Sequence, residues 1–210
     1  SVVDFGCARG VWLDRWKQTG VEDIQGVDGD YVDTSAMIIP NNKFHAQDLN
    51  DEIYLGRRFD LACSLEVAEH LQPENSDKFV QSLTRHANVV LFSAAPPGQG
   101  GESHINEQSL DFWRDKFRKQ GYSAYDCVRD RIAGMDNVLY WYRFNIILYV
   151  RDGFESKLSK TIQETRVKEG VQIKDISPLL FKLRKLVIRH LPNNVQNMLA
   201  RVKAKTAIFR

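Results

Sequence analysis

The sequence lacks any apolar run approaching the ~20 residues that span a bilayer. Its richest stretch, residues 138–150, is broken by Arg143 and Asn145. Cysteine is scarce. Cys7, Cys63 and Cys127 are odd in number and far apart, which suits reduced thiols better than a disulfide framework. An excess of charge of one sign is also missing, since 29 Lys+Arg face 27 Asp+Glu for a net charge of +2. That balance argues against a uniformly basic nucleic-acid-coating protein and against an acidic disordered chain. No internal repeat and no low-complexity tract is present. The chain opens on Ser1 rather than Met and runs directly into apolar residues. A preceding N-terminal segment is therefore expected, and the lack of a signal peptide carries little weight.

What is there suffices for a core. Apolar residues make up 43% and aromatics 10% of 210 residues, which excludes wholesale disorder and allows one full domain plus an appendage. The charge is divided along the chain. Residues 1–150 carry fifteen basic and twenty-two acidic side chains, a net of −7; residues 151–210 carry fourteen and five, a net of +9. An acidic body over residues 1–151 and a basic helical tail over residues 152–210 are expected.

Strand-like and helix-like patterns alternate through the body. The apolar periodicity predicts strands at residues 1–5, 24–28, 43–47, 59–65, 89–95, 123–128 and 139–150. Helices are predicted at residues 11–18, 33–39, 74–86 and 108–119, the last with Leu110, Trp113 and Phe117 on one face. Such alternation is the signature of an α/β fold: a three-layer, doubly wound, mostly parallel sheet with helices on both faces. These sheets bind ligands outside the carboxyl ends of their strands. Residues just after strands therefore hold the candidate sites.

The first strand ends Val2-Val3-Asp4-Phe5-Gly6-Cys7-Ala8-Arg9-Gly10. A strand, a glycine turn and a helix N-terminus suit a nucleotide-like ligand, although glycine is also needed for tight turning alone. The spacing of four between Gly6 and Gly10 does not fit the dinucleotide G-x-G-x-x-G pattern. It resembles instead the first motif of class I S-adenosylmethionine-dependent methyltransferases, with Ala8 in place of the middle glycine. The resemblance continues in Gly26-Val27-Asp28, Gln47-Asp48-Leu49 and Ser64-Leu65-Glu66-Val67-Ala68-Glu69-His70-Leu71. It implies a seven-stranded sheet whose last strand is antiparallel, and S-adenosylmethionine as cofactor. Asp4, Gly6, Cys7, Ala8, Gly10, Asp28, Gly29, Asp48, Leu49 and Leu65 are the implied cofactor-binding residues. Asp28 would take the ribose hydroxyls, because an ionised carboxylate accepts two hydrogen bonds from a diol. Asp48 would take the adenine amino group, with Leu49 on the ring. For Cys7 and Cys63, packing is a plainer role than nucleophilic chemistry.

Glu66, Glu69 and His70 fall at i, i+3 and i+4, which places them on one face if the chain turns helical after Leu65. His104 follows the turn-rich loop Pro96-Pro97-Gly98-Gln99-Gly100-Gly101. Three readings stand. Glu66 or His70 caps a helix and Glu69 forms a surface pair. Alternatively His104 or His70, with Glu66 beside them, is the catalytic base toward a hydroxyl. Alternatively Glu66, Glu69, His70 and His104 bind a divalent metal ion, as the resemblance of E-x-x-E-H to metal-dependent O-methyltransferases implies. The loop over residues 96–101 reads either as a mobile lid or as an ordinary surface loop. Tyr140, Tyr142 and Phe144 read as one face of a strand.

In the tail, Asp175-Ile176-Ser177-Pro178 is a helix start. It opens an amphipathic helix at about residues 177–191. Leu179, Leu180, Leu183, Leu186, Val187 and Leu191 share one face, and Lys182, Lys185 and Arg189 another. Pro192-Asn193-Asn194 breaks the helix, and Arg201, Lys203, Lys205 and Arg210 follow. Residues 175–210 are expected to pack on the body, to self-associate, or to make peripheral membrane contact; RNA is less expected, because the tail's positive charge comes without the interleaved aromatic residues that base stacking prefers. The expected activity is O-methylation of a small-molecule, sugar or glycan hydroxyl, in the cytoplasm or at the inner face of the membrane. An RNA ribose 2′-O-methyltransferase is the first alternative, and a non-catalytic cofactor-fold scaffold is the second.

Overall fold

The computed structural model describes residues 1–207. β1 (Val2–Phe5) turns into α1 (Val11–Gln18), followed by β2 (Ile24–Asp28) and β3 (Phe44–Ala46). β4 (Leu61–Leu65) leads to α2 (Ser76–His86), β5 (Val89–Ser93), α3 (Leu110–Lys119) and β6 (Tyr122–Tyr125). Two short helices, α4 (Arg129–Ile132) and α5 (Tyr140–Asn145), precede β7 (Ile147–Arg151). α6 (Lys160–Gln163), α7 (Leu179–Ile188) and α8 (Asn193–Ala207) complete the chain.

Among the described residues, seven strands form one sheet in the order β3-β2-β1-β4-β5-β7-β6. β1 to β5 are mutually parallel, and β7 runs antiparallel to both β5 and β6. The expected mostly parallel sheet with an antiparallel last strand therefore forms. The order reverses at β1, whose neighbours are β2 and β4. A crevice opens at the carboxyl ends of such strands.

Alternation along each strand feeds two layers. Val3 and Phe5 of β1, Ala62 of β4, and Ile147 and Tyr149 of β7 face a core shared with Phe79 and Leu83 of α2 and Trp113 and Phe117 of α3. Val2 and Cys63 face the other side, against Leu13 of α1 and Cys7. The Phe117 and Tyr149 rings stack 3.8 Å apart. Cys7 and Cys63 are buried packing residues.

Two expected elements differ. Residues 139–150 are not one strand: the first half is α5, and β7 begins only at Ile147. Tyr140 and Phe144, four apart on α5, both pack against Phe181 of α7, a partner remote in sequence. Tyr140, Tyr142 and Phe144 therefore belong to a helix and not to a pleat. Residues 33–39 form only a 3-10 turn at Thr34–Ala36, where the Asp33 carboxylate accepts the Ser35 N–H at 2.9 Å. The segment is short, and Pro40 pushes Ile39 out of the helical region, so a helix does not propagate.

The segment after β7 wraps the body. Ile173 is buried in the main core, and Arg129, 1% exposed, donates to Asp126, to the Phe144 carbonyl and to the Lys174 carbonyl. α7 starts at Leu179 with Pro178 as its N-cap. Arg210 and the side chains of Lys203 and Lys205 lie outside what is described. Among the described residues, no helix is long and apolar enough to cross a membrane.

Candidate functional site

The glycine turn is built for close approach. Gly6 and Gly10 both have φ of +86°, and Ala8 has +46°. A Cβ at Gly6 would lie 2.3 Å from the Val67 side chain, and one at Gly10 2.7 Å from Ile39. Only glycine adopts this backbone there without strain. At the end of β2, Asp28 is buried and its carboxylate is organised by the turn. Oδ2 accepts the Ala8 N–H at 2.7 Å, while Oδ1 accepts the Gly29 N–H at 2.7 Å and the Tyr31 hydroxyl at 2.6 Å. Tyr31 is otherwise 81% exposed. Its hydroxyl reaches back to this buried carboxylate.

A cleft of about 970 Å³ opens here, lined by Gly6, Asp28, Gly29, Asp48 and Leu49 among others. The remaining expected cofactor residues support it from behind. Ala8 lends its amide to Asp28, Gly10 caps α1, Cys7 packs against Gly26, and Leu65 ends β4 in the core. Asp4 is 1% exposed, and its Oδ2 has no hydrogen-bond partner. Burial, and then the Asp28 charge, push its carboxyl up to about 7. Asp48 is exposed and accepts the Asn50 N–H at 2.8 Å.

The Glu66–His70 segment is not the expected helical face. Glu66 takes a left-handed φ of +58°, and Ala68–His70 is a single 3-10 turn. The strand end is instead locked by the Glu66 N–H, which donates to the Ser93 carbonyl and hydroxyl. The Glu66 carboxylate accepts from Gln99 Nε2 at 2.6 Å and Asn145 Nδ2 at 3.1 Å. Asn145 Nδ2 also donates to Gln99 Oε1 at 2.8 Å, which closes a three-residue network. Burial raises the Glu66 pKa, partly opposed by these two donors. Glu69 is neither a surface pair nor part of a helix cap. It is fully buried, and both carboxylate oxygens lack a partner of good geometry. Burial, and then the Glu66 charge, hold its carboxyl well above the usual range.

The two histidines meet edge to face, with ring centroids 4.8 Å apart. His104 Nδ1 lies 2.8 Å from Glu107 Oε1, which assigns the proton to Nδ1 and leaves Nε2 as the acceptor nitrogen. Glu107 also accepts the N–H groups of Gly98 and Gly100, each at 2.7 Å. The loop over residues 96–101 is thus tied to His104 through one carboxylate. His70 Nδ1 lies 3.3 Å from the Ser103 carbonyl. Burial, and then His104, lower its pKa. Glu69, His70 and His104 offer ligand atoms within 4.8 Å of one another.

A second pocket of about 330 Å³ lies beyond the histidines, lined by Glu69, His104, Tyr140, Trp141 and Arg184 together with α8 residues such as Gln196 and Leu199. It shares Glu66, His70 and Glu102 with the first cleft. The tail is therefore part of the site. Arg184 donates to the Gln99 carbonyl at 2.8 Å, Asn197 accepts the Ser103 N–H at 2.9 Å, and Arg201 donates to Glu102 at 2.8 Å. Sequence reasoning did not single out Tyr31, Gln99, Glu107, Asn145 or Arg184 for the site. Glu107 had a readable signal, three residues after His104. Asn145 had one too, as a polar interruption in an apolar run.

Residues 1–127 match the family model described as a methyltransferase domain. The fold resembles the magnesium protoporphyrin IX methyltransferase of Synechocystis solved with bound S-adenosylmethionine, at a TM-score of 0.52 and 22% identity over 72% of this chain and 69% of that one. It resembles the methyltransferase domain of bacterial CtHen1 at 0.52 and 19%, over 71% and 89% of the two chains. A sugar N-methyltransferase from Streptoalloteichus aligns at 0.56 and 14%, over 71% and 79%. No curated protein matches in sequence. At these identities the structural likeness is one of fold.

Proposed function

Given that the chain belongs to the class I S-adenosylmethionine-dependent methyltransferase family, we propose that it methylates a hydroxyl of a small acceptor, in particular a sugar or glycan. The observation that carries this reading is the junction of the two cavities at Glu66 and His70, with the His104–Glu107 pair beside it. The cleft fits the cofactor. Gly6 and Gly29 line it without side chains, and Asp28 sits at the strand end with its carboxylate already accepting a hydroxyl. When bound there, S-adenosylmethionine supplies an electrophilic methyl group.

The chain's own residues supply the rest. Asp28 holds the ribose diol in place of the Tyr31 hydroxyl. In the second pocket Tyr140 and Trp141 offer aromatic surface for a sugar face, and Gln99, Arg184 and Glu102 offer polar edges. An alcohol is a poor nucleophile while it keeps its proton. His104 Nε2 would take that proton as the methyl group passes from sulfur to oxygen, and Glu107 would steady the resulting imidazolium through Nδ1–H. Glu66, held by Gln99 and Asn145, fixes the wall between the cavities, and the two sites orient the reactants for in-line transfer.

A second reading rests on Glu69, whose buried carboxylate accepts from no side chain. With His70 and His104 it would hold a divalent cation, which supplies Lewis acidity toward a hydroxyl. The experiment is methyl transfer from labelled S-adenosylmethionine to a panel of sugar and glycan acceptors. His104→Gln is expected to lower turnover by about 10²–10⁴ and to leave cofactor binding in place. Unchanged turnover in His104→Gln would contradict the base assignment. Turnover lost on chelation and restored by added magnesium or manganese would favour the second reading.

A further inference from the structure

We propose that the outward face of α7 is a docking surface for an anionic membrane. The inference does not rest on the methyl-transfer reading. α7 presents two unlike faces. Phe181, Arg184, Lys185 and Ile188 turn toward the protein: Phe181 packs on Tyr140 and Phe144, Arg184 binds the Gln99 carbonyl, Lys185 pairs with Asp175 at 2.5 Å, and Ile188 lines the second pocket. Leu179, Leu180, Leu183, Leu186 and Val187 turn outward and are between 46 and 79% exposed. At about 100° per residue these five fall within a sector of roughly 120°. A helix that packs on its own protein normally shows the opposite arrangement, with polar residues outward.

The charge around this face identifies its occupant. Residues 176–191 contain four Lys or Arg and no Asp or Glu, and two of the four, Arg184 and Lys185, are engaged inward. Lys182 and Arg189 are exposed and flank the leucine sector along one border. An apolar face edged by cations is the pattern of a helix lying in the interface plane, where leucines enter the acyl boundary and long basic side chains reach the headgroups. A second copy of the chain would bury the same leucines, but it would bring two cationic borders together at a like-charge cost. An anionic bilayer removes both costs at once. α7 has ten residues and so lies along the surface without crossing it. Its inward face walls the second pocket, so docking sets that pocket beside the bilayer.

The test is flotation of the full chain with phosphatidylcholine vesicles that carry phosphatidylglycerol, compared with phosphatidylcholine alone. The chain is expected to float with the anionic vesicles and less as salt rises. Leu180→Asp/Leu183→Asp and Lys182→Glu/Arg189→Glu are each expected to lower the bound fraction by about tenfold or more. Both pairs are exposed and lie outside the pocket lining, and unchanged thermal melts by circular dichroism would confirm their fold. Absence of flotation, or flotation that neither double variant weakens, would overturn the proposal. So would equal flotation on neutral vesicles. A dimer seen by sedimentation that the leucine variant abolishes, with no flotation, would assign the face to a second copy and overturn the membrane.

Discussion

Asp4 and Asp28 lie on adjacent strands, and the Asp28 charge bears on Asp4. Asp4 is paired with Gly26 in the sheet register and has no donor for Oδ2. Its pKa rises from 3.8 to about 7 in the folded chain, first through burial and then through Asp28. Between those two values the folded state holds more protons than the unfolded one, so stability falls as pH rises. Asp4's contribution is fully present below its unfolded pKa and is lost as pH passes its folded pKa. Asp4→Asn removes this loss, which amounts to about a few kcal/mol by pH 8. Melting curves at pH 5 and pH 8 are expected to show the variant gaining on the parent as pH rises. An equal difference at both values would contradict the linkage. Single residues were unevenly legible. Asp28 was marked by the resemblance of Gly26-Val27-Asp28 to the family's second motif, and its carboxylate is organised by the glycine turn. Tyr31 was not marked, because an exposed tyrosine three residues on carries no local sign that its hydroxyl bends back to a buried acid. Glu69 was visible as a chemical group, but its full burial depends on packing that no i, i+4 count contains.

At the scale of elements, the parallel strands and long helices followed from periodicity because each buries its stripe against the sheet beside it. α5 did not. Its Tyr, Trp and Phe content reads as strand, and the helix becomes favourable only because Tyr140 and Phe144 share Phe181 across the chain. The consequence is functional, since the end of α5 delivers Asn145 to Glu66. Asn145→Leu removes a donor from a partly buried carboxylate and leaves Gln99 Oε1 unpaired, which is expected to cost ~1–3 kcal/mol. Chemical denaturation measures that loss. Methyl-transfer turnover is expected to fall further than cofactor affinity, because Glu66 stands between the two cavities. A variant with parental stability and turnover would remove the network from the account. The turn at Glu66 was equally hidden. A left-handed glutamate is disfavoured locally and is held here by the two hydrogen bonds to Ser93.

At the scale of the molecule, the net charge of +2 conceals an acidic body and a basic extension. The extension is not a loose appendage. Arg184, Asn197 and Arg201 each bond to residues 99–103, and α7 and α8 wall the second pocket. The division of charge was legible in the sequence, as was the leucine face of the helix. Which side of that helix meets the body was not, because both sides of α7 carry apolar residues and only the tertiary contacts choose between them. Methyl transfer by this chain requires the first cleft to hold S-adenosylmethionine. Titration calorimetry of the chain with S-adenosylmethionine, beside Asp28→Ala checked for its fold by thermal melting, measures this directly. The parent is expected to bind with one site, and the variant at least about tenfold more weakly, the loss of about 1.4 kcal/mol or more that a charged acceptor of two hydroxyls would supply. A folded parent that does not bind the cofactor would contradict the account at its centre.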